Sequence, residues 1–137
     1  MCLSWQPDIG IGSSWNVTAT NVSTLDPTTP TGLLDYEAAY MFEQAAGKAN
    51  ANPDINAAVW YLFQGAPPLN TDAENILADA QAQTYTKGEF SNVILYAADP
   101  AGSSQDFFGV TPEPSTLMMM GTGVLGLAGL LRRKLGA

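Results

Sequence analysis

The sequence predicts an α+β domain, a few antiparallel strands with three helices, followed by a single C-terminal transmembrane helix. Three observations carry that reading. Hydrophobic periodicity changes from two to 3.6 and back along residues 14–110, charge is split unevenly along the chain, and an uncharged apolar run near the end stops at a basic triplet.

The elements follow in order. Over residues 14–22, Trp15, Val17 and Ala19 alternate with Asn16, Thr18 and Thr20, the pattern of a half-buried strand. Residues 26–32, Asp-Pro-Thr-Thr-Pro-Thr-Gly, read as a loop. Residues 35–48 are rich in helix formers and carry Ala38, Met41, Phe42 and Ala45 on one side. Asn52 and Pro53 have the form of an N-cap and a first-turn proline. The helix they open, 53–64, shows the cleanest stripe in the chain: Ile55, Ala58, Val59, Leu62 and Phe63. That stripe predicts that it is the central helix. Residues 65–68, Gly-Ala-Pro-Pro, end it, and Thr71-Asp-Ala-Glu74 reads as a capping box for a third helix over 72–84. Residues 90–98 are apolar and partly β-branched, as in a buried strand, and 105–110 predict a short last strand.

Charge divides the chain again. The basic residues are Lys48, Lys87, Arg132, Arg133 and Lys134, and all thirteen acidic residues lie between Asp8 and Glu113. Residues 1–113 therefore carry −11 and residues 114–137 carry +3. The run Thr116–Leu131 has 16 residues and no charge. As a helix it spans about 24 Å, and snorkelling of the basic side chains extends its reach toward the width of a bilayer core. Positive residues stay on the cytoplasmic side. The expected organisation is an exported acidic domain at 1–110, an extended Pro-Glu-Pro linker at 111–115, and a membrane helix with a basic cytoplasmic end at 116–137. Residues 1–5 lack the basic and apolar regions of a signal peptide. Export together with that start leads us to expect a chain truncated at its N-terminus.

Composition excludes much chemistry. There is no histidine and one cysteine, Cys2, so Ser-His-Asp and Cys-His nucleophile systems, an internal disulfide and thiolate zinc clusters are ruled out. The net charge of −8 argues against nucleic acid as a partner. No loop has the spacing of a calcium site, and no cofactor or metal is expected. Gly121, Gly123 and Gly126 match a dinucleotide fingerprint, but only 11 residues follow, too few for a βαβ unit. Asn16-Val-Thr18 and Asn21-Val-Ser23 fit the glycosylation pattern and are better read as strand composition. An enzyme working only with carboxylates lacks a paired motif here. The chain is expected not to be an enzyme.

The tail resembles a known family. Pro112-Glu113-Pro114, an apolar helix and then Arg132-Arg133-Lys134 stand in the order of the PEP-CTERM sorting signal of exported bacterial proteins. The resemblance implies recognition by an exosortase, a membrane cysteine transpeptidase that cuts near the Pro-Glu-Pro. It implies transient anchoring in the inner membrane with the C-terminus inside, then display or release at the cell surface, with exopolysaccharide as a possible associate. The prolines suit that role: they remove two backbone donors and bias Thr111 and Glu113 toward extended backbone.

The body is similar, less specifically, to thioester domains of surface adhesins. The similarity rests on Tyr36-Glu-Ala-Ala-Tyr-Met-Phe42 and on Ile55-Asn-Ala-Ala-Val-Trp-Tyr-Leu-Phe63. Those domains join an early cysteine to a glutamine just before an Ala-Ile/Val-Trp segment. Here the resemblance implies Cys2 and Asn56 as the thioester-like pair, with an asparagine one methylene short of the family's glutamine. An adhesion or binding module is the alternative function it implies.

Overall fold

The computed structural model describes residues 1–3, 12, 14–45, 53–111 and 122. Among them stand three helices and a three-stranded antiparallel sheet, the α+β class that the sequence predicts. Strand β1 is Asn16–Asn21, and helices α1, α2 and α3 are Pro30–Ala45, Pro53–Gln64 and Thr71–Ala82. Strands β2 and β3 are Val93–Asp99 and Phe107–Val110. The sheet order is β1-β2-β3, with Ala19 opposite Tyr96 and Tyr96 opposite Phe107.

Residues 26–32 are not all loop. Helix α1 begins at Pro30, where a proline's fixed φ and missing donor cost nothing. Thr29 supplies the cap: its hydroxyl accepts from the Gly32 amide at 3.1 Å and its carbonyl from Leu33 at 2.9 Å. A Cβ on Gly32 would collide with the Asp26 carbonyl, so glycine here serves close approach and not chain reversal. Before it, the hydroxyl and amide of Thr28 donate to Asp26, at 2.7 and 2.9 Å, and hold that carboxyl below its usual range. The composition that suggested a loop is the composition of a turn and its helix cap.

Helix α3 also starts differently. Its cap is Asn70, whose side chain accepts from the Ala73 amide at 2.9 Å, and Thr71 is the first helical residue. Both asparagine and threonine cap well, and asparagine ranks slightly higher. The proposed first-turn proline of α2 is Pro53, as expected, while Asn52 lies outside the described residues.

The central helix is α1 and not α2. Asp35, Tyr36, Glu37, Ala38 and Ala39 are all buried. Five successive residues go once round a helix, so α1 is covered on every side at that level. Helix α2 buries only Ile55, Ala58 and Val59, leaving Leu62 and Phe63 half-buried. A clean stripe marks a helix with one wet face; a central helix has no such contrast. Helices α2 and α3 pack on each other and both touch α1. On its other side α1 meets the sheet, where Phe42 lies against Phe108 with ring centroids 5.8 Å apart.

Three aromatic rings join these layers. Tyr36 on α1 meets Tyr85 and Phe90 at centroid distances of 5.9 and 5.6 Å, both edge to face. Phe90 has φ of 57°, a left-handed backbone that a bulky side chain adopts at a cost of about 1–3 kcal/mol. Burial of its ring against two others offsets that cost.

Truncation tests the arrangement of the core. Met41 is fully buried on α1, so Met41→Ala is expected to destabilise the domain by about 2–5 kcal/mol. Leu62→Ala, on the half-buried flank of α2, should cost less. Urea unfolding of the two variants measures both, and a larger loss at Leu62 would return α2 to the centre.

Candidate functional site

Two features of the sheet's end bear on function: the point at which the chain leaves toward the tail, and a polar cluster at the head of the last strand.

Strand β3 is held on both sides. Along one edge it pairs with β2, from Tyr96–Phe107 to Val93–Val110. Along the other, residues 1–3 run antiparallel to it. The Leu3 amide donates to Asp106 at 2.9 Å, the Phe108 amide to Met1 at 2.8 Å, and the Met1 ammonium to Phe108 at 2.9 Å. Burial of that ammonium lowers its pKa. Beyond the strand, the Thr111 amide donates to the Asn92 carbonyl at 2.9 Å. The ordered ladder thus runs to the residue just before Pro112. Pro112, Glu113 and Pro114 lie outside the described residues, as do Arg132, Arg133 and Lys134 and all but Thr122 of the apolar run. Among the described residues no helix is long and apolar enough to cross a membrane.

The polar cluster sits in the connection from β2 to β3. Gln105 is buried there, and its side-chain oxygen accepts from the Cys2 thiol at 2.8 Å. Asp106 follows, and its carboxylate accepts from the Ala98 amide at 2.6 Å, which closes the connection onto β2. Asp35 on α1 is 7% exposed. Burial, and then the charge of Asp106, push its pKa up to about 6. Burial likewise raises Glu37. Asn56 is on α2, half-buried, while the hydrogen bond of the Cys2 thiol goes to Gln105.

Sequence reading did not single out Gln105, Asp106 or Asp35. Gln105 stands just before β3, in a stretch of small and polar residues, and a lone glutamine there is a weak signal. Asp35 stands in Leu33-Leu34-Asp35-Tyr36, a carboxylate between large apolar residues, which is the signal that could have marked it.

Elsewhere, an open groove of about 490 Å³ runs between α2 and α3, lined among others by Tyr61, Leu69, Glu74, Leu77 and Gln81. Tyr40 donates to Asp79 at 2.8 Å, and burial, then neighbouring acidic groups and Tyr40, raise Tyr85. Among the described residues no group of acidic, cysteine or histidine side chains is placed to hold a metal ion.

With the strand and its exit defined, the tail can be placed. Residues 110–134 carry the PEP-CTERM protein-sorting motif. The match begins at Val110, the last residue of β3, so the motif starts where the sheet ends. No curated protein and no solved structure matches the chain.

The acid cluster makes a measurable pH dependence. An aspartate whose pKa is raised on folding binds its proton more tightly in the folded state, so its contribution falls as pH rises from about 4 through 6 and is restored on acidification. A shift of roughly 2 units corresponds to about 3 kcal/mol at most. Asp35→Asn should therefore stabilise the domain at pH 7 and flatten its stability profile between pH 4 and 6. Chemical denaturation of both proteins across that range checks it; parallel profiles would mean Asp35 is not the group responsible.

Proposed function

We propose that this chain is a non-catalytic, exported bacterial surface protein whose tail is recognised and cut by an exosortase. The sorting motif at residues 110–134 is the observation that carries the reading. The physical logic of the tail supports it. The prolines at 112 and 114 favour an extended strip, which suits the cleft of a processing enzyme. The uncharged run Thr116–Leu131 sets that strip at the membrane surface, and the Arg132-Arg133-Lys134 triplet holds the C-terminus on the cytoplasmic side. In this reading residues 1–110 are outside the inner membrane and remain attached to, or are released from, the cell surface after the cut.

The start of the motif at the sheet's edge has a mechanical consequence. Thr111 is bonded to Asn92, so there is almost no spacer between the folded domain and the Pro-Glu-Pro strip. The processed domain would be displayed close to whatever accepts its new C-terminus. The acidic charge of residues 1–113, −11, keeps such a layer of domains soluble and mutually repelling.

Replacing Pro112, Glu113 and Pro114 together by alanine should leave the precursor uncut in the membrane of the producing cell. The measurement is the ratio of precursor to mature species by immunoblot, and a mature band of normal size and yield would defeat the sorting assignment. Orientation is tested separately. A reporter fused after Ala137 that is active only in the cytoplasm is the expected result, and periplasmic activity would reverse the topology.

A further inference from the structure

The sheet has two edges, and the described residues cover one of them. Residues 1–3 lie along β3, whereas nothing among the described residues pairs with the outer side of β1. An uncovered edge commonly carries a charge, a proline or a bulge that keeps other strands away. Asn16–Asn21, Asn-Val-Thr-Ala-Thr-Asn, has neither charge nor proline, and its six residues pair with β2 without a bulge. The ladder also shows which backbone groups point outward. The Ala98 amide donates to Asp106, so it is turned away from β1. Val17 stands opposite Ala98 and is therefore in a pair that exchanges no hydrogen bonds. The N–H and C=O of Val17 point away from β2, and by alternation so do those of Ala19. Residues 16–19 are exposed, so no neighbouring element blocks the approach.

We propose that β1 is a homodimer edge, at which a second copy of this chain adds its own β1 antiparallel about a two-fold axis through Thr18. Opposed residues of an antiparallel pair share a face, which restricts the register to residues of equal parity. With Thr18 on the axis, Val17 of each copy faces Ala19 of the other. Those are the outward-pointing residues, so each such pair exchanges both of its backbone hydrogen bonds. Asn16 then faces Thr20, and along the strand apolar meets apolar and polar meets polar. Moving the axis to Ala19 would oppose Val17 to Asn21, whose carbonyl already accepts from the Thr24 hydroxyl at 2.7 Å. Charge selects the occupant. Residues 1–113 carry −11, which keeps two copies apart over most of the surface, but none of that charge is on β1. A second copy can therefore meet the first at this strand where other faces repel it. Residues 16–20 are few against the roughly 20–30 residues a side of a stable complex, so the dimer is weak and forms at high local concentration. The inference is independent of the sorting reading, because β1 is remote from the motif.

Cross-linking and sedimentation of the full chain in detergent test it, with Cys2→Ser removing the native thiol. A non-hydrogen-bonded pair on the axis has Cα atoms about 4.5 Å apart, inside disulfide range. Thr18→Cys should therefore give a covalent dimer under a mild oxidant. Thr20→Cys should not, since its two copies stand about 14 Å apart along the strands. Thr18 is exposed, so its substitutions spare the fold. Thr18→Asp sets two carboxylates face to face and should weaken self-association by about tenfold. An equimolar mixture of Thr18→Asp and Thr18→Lys chains should restore it as a heterodimer. A chain that stays monomeric at every concentration overturns the proposal and leaves the edge to a strand of another protein. Equal cross-linking at Thr18→Cys and Thr20→Cys overturns it as well, as does association that Thr18→Asp leaves unchanged, which would place the contact elsewhere. Strong hydrogen-exchange protection of the Val17 and Ala19 amides in the dilute monomer would show the edge covered within one chain, and that too defeats it.

Discussion

The two-sided hydrogen bonding of β3 is the constraint on which the other features depend. A strand at the edge of a sheet leaves a row of unpaired backbone groups and is easily slipped or captured. Here residues 1–3 occupy that edge, and β2 holds the other. The same pairing buries Leu3, brings Cys2 to Gln105, and fixes the direction in which the chain leaves at Thr111. Loss of the first three residues would therefore disturb more than an end. It would expose the backbone of the strand that leads into the sorting motif.

The interior shows what the domain tolerates for the sake of that arrangement. Helix α1 is surrounded, yet it places Asp35 and Glu37 among the buried residues. Each costs free energy when charged, and Asp35 faces Asp106 as well. A core built for stability alone would put apolar side chains there. Asp106 is held in place by the Ala98 amide, which it satisfies, so its charge is part of the β2–β3 connection. The conflict between Asp35 and Asp106 is thus located in the β2–β3 connection, next to Gln105 and just before β3.

Sequence alone made the element types legible, and it misplaced what depends on neighbours. Helix α2 was readable in full because a half-exposed helix shows its stripe, and for the same reason it was mistaken for the centre. Helix α1 was read as starting at 35 because Pro30 and Gly32 look like loop residues until the Thr29 cap and the close approach of Asp26 are seen. Asn70 and Thr71 are adjacent good caps, and nothing local decides between them. The tail was legible because its signal is order and charge along the chain and needs no tertiary contact. The Cys2–Gln105 contact was not, since it joins residues 103 positions apart through a backbone pairing with no sequence pattern of its own.

The proposed cleavage places a demand on the fold: removal of the tail must leave the domain intact. The hydrogen bonds meet that demand only on one side of Thr111. A cut after Thr111 leaves the Val93–Val110 pair and the bond to Asn92 untouched. A cut before Val110 would remove the last pair of the β2–β3 ladder and free the turn at Asn92. Proline sharpens the boundary, because Pro112 has no amide to donate and cannot extend the ladder as a donor. The end of the sheet and the start of the Pro-Glu-Pro strip therefore coincide for a physical reason. The domain keeps its β2–β3 ladder and the bond to Asn92 up to Thr111, the residue at which the proposed cut would leave it whole.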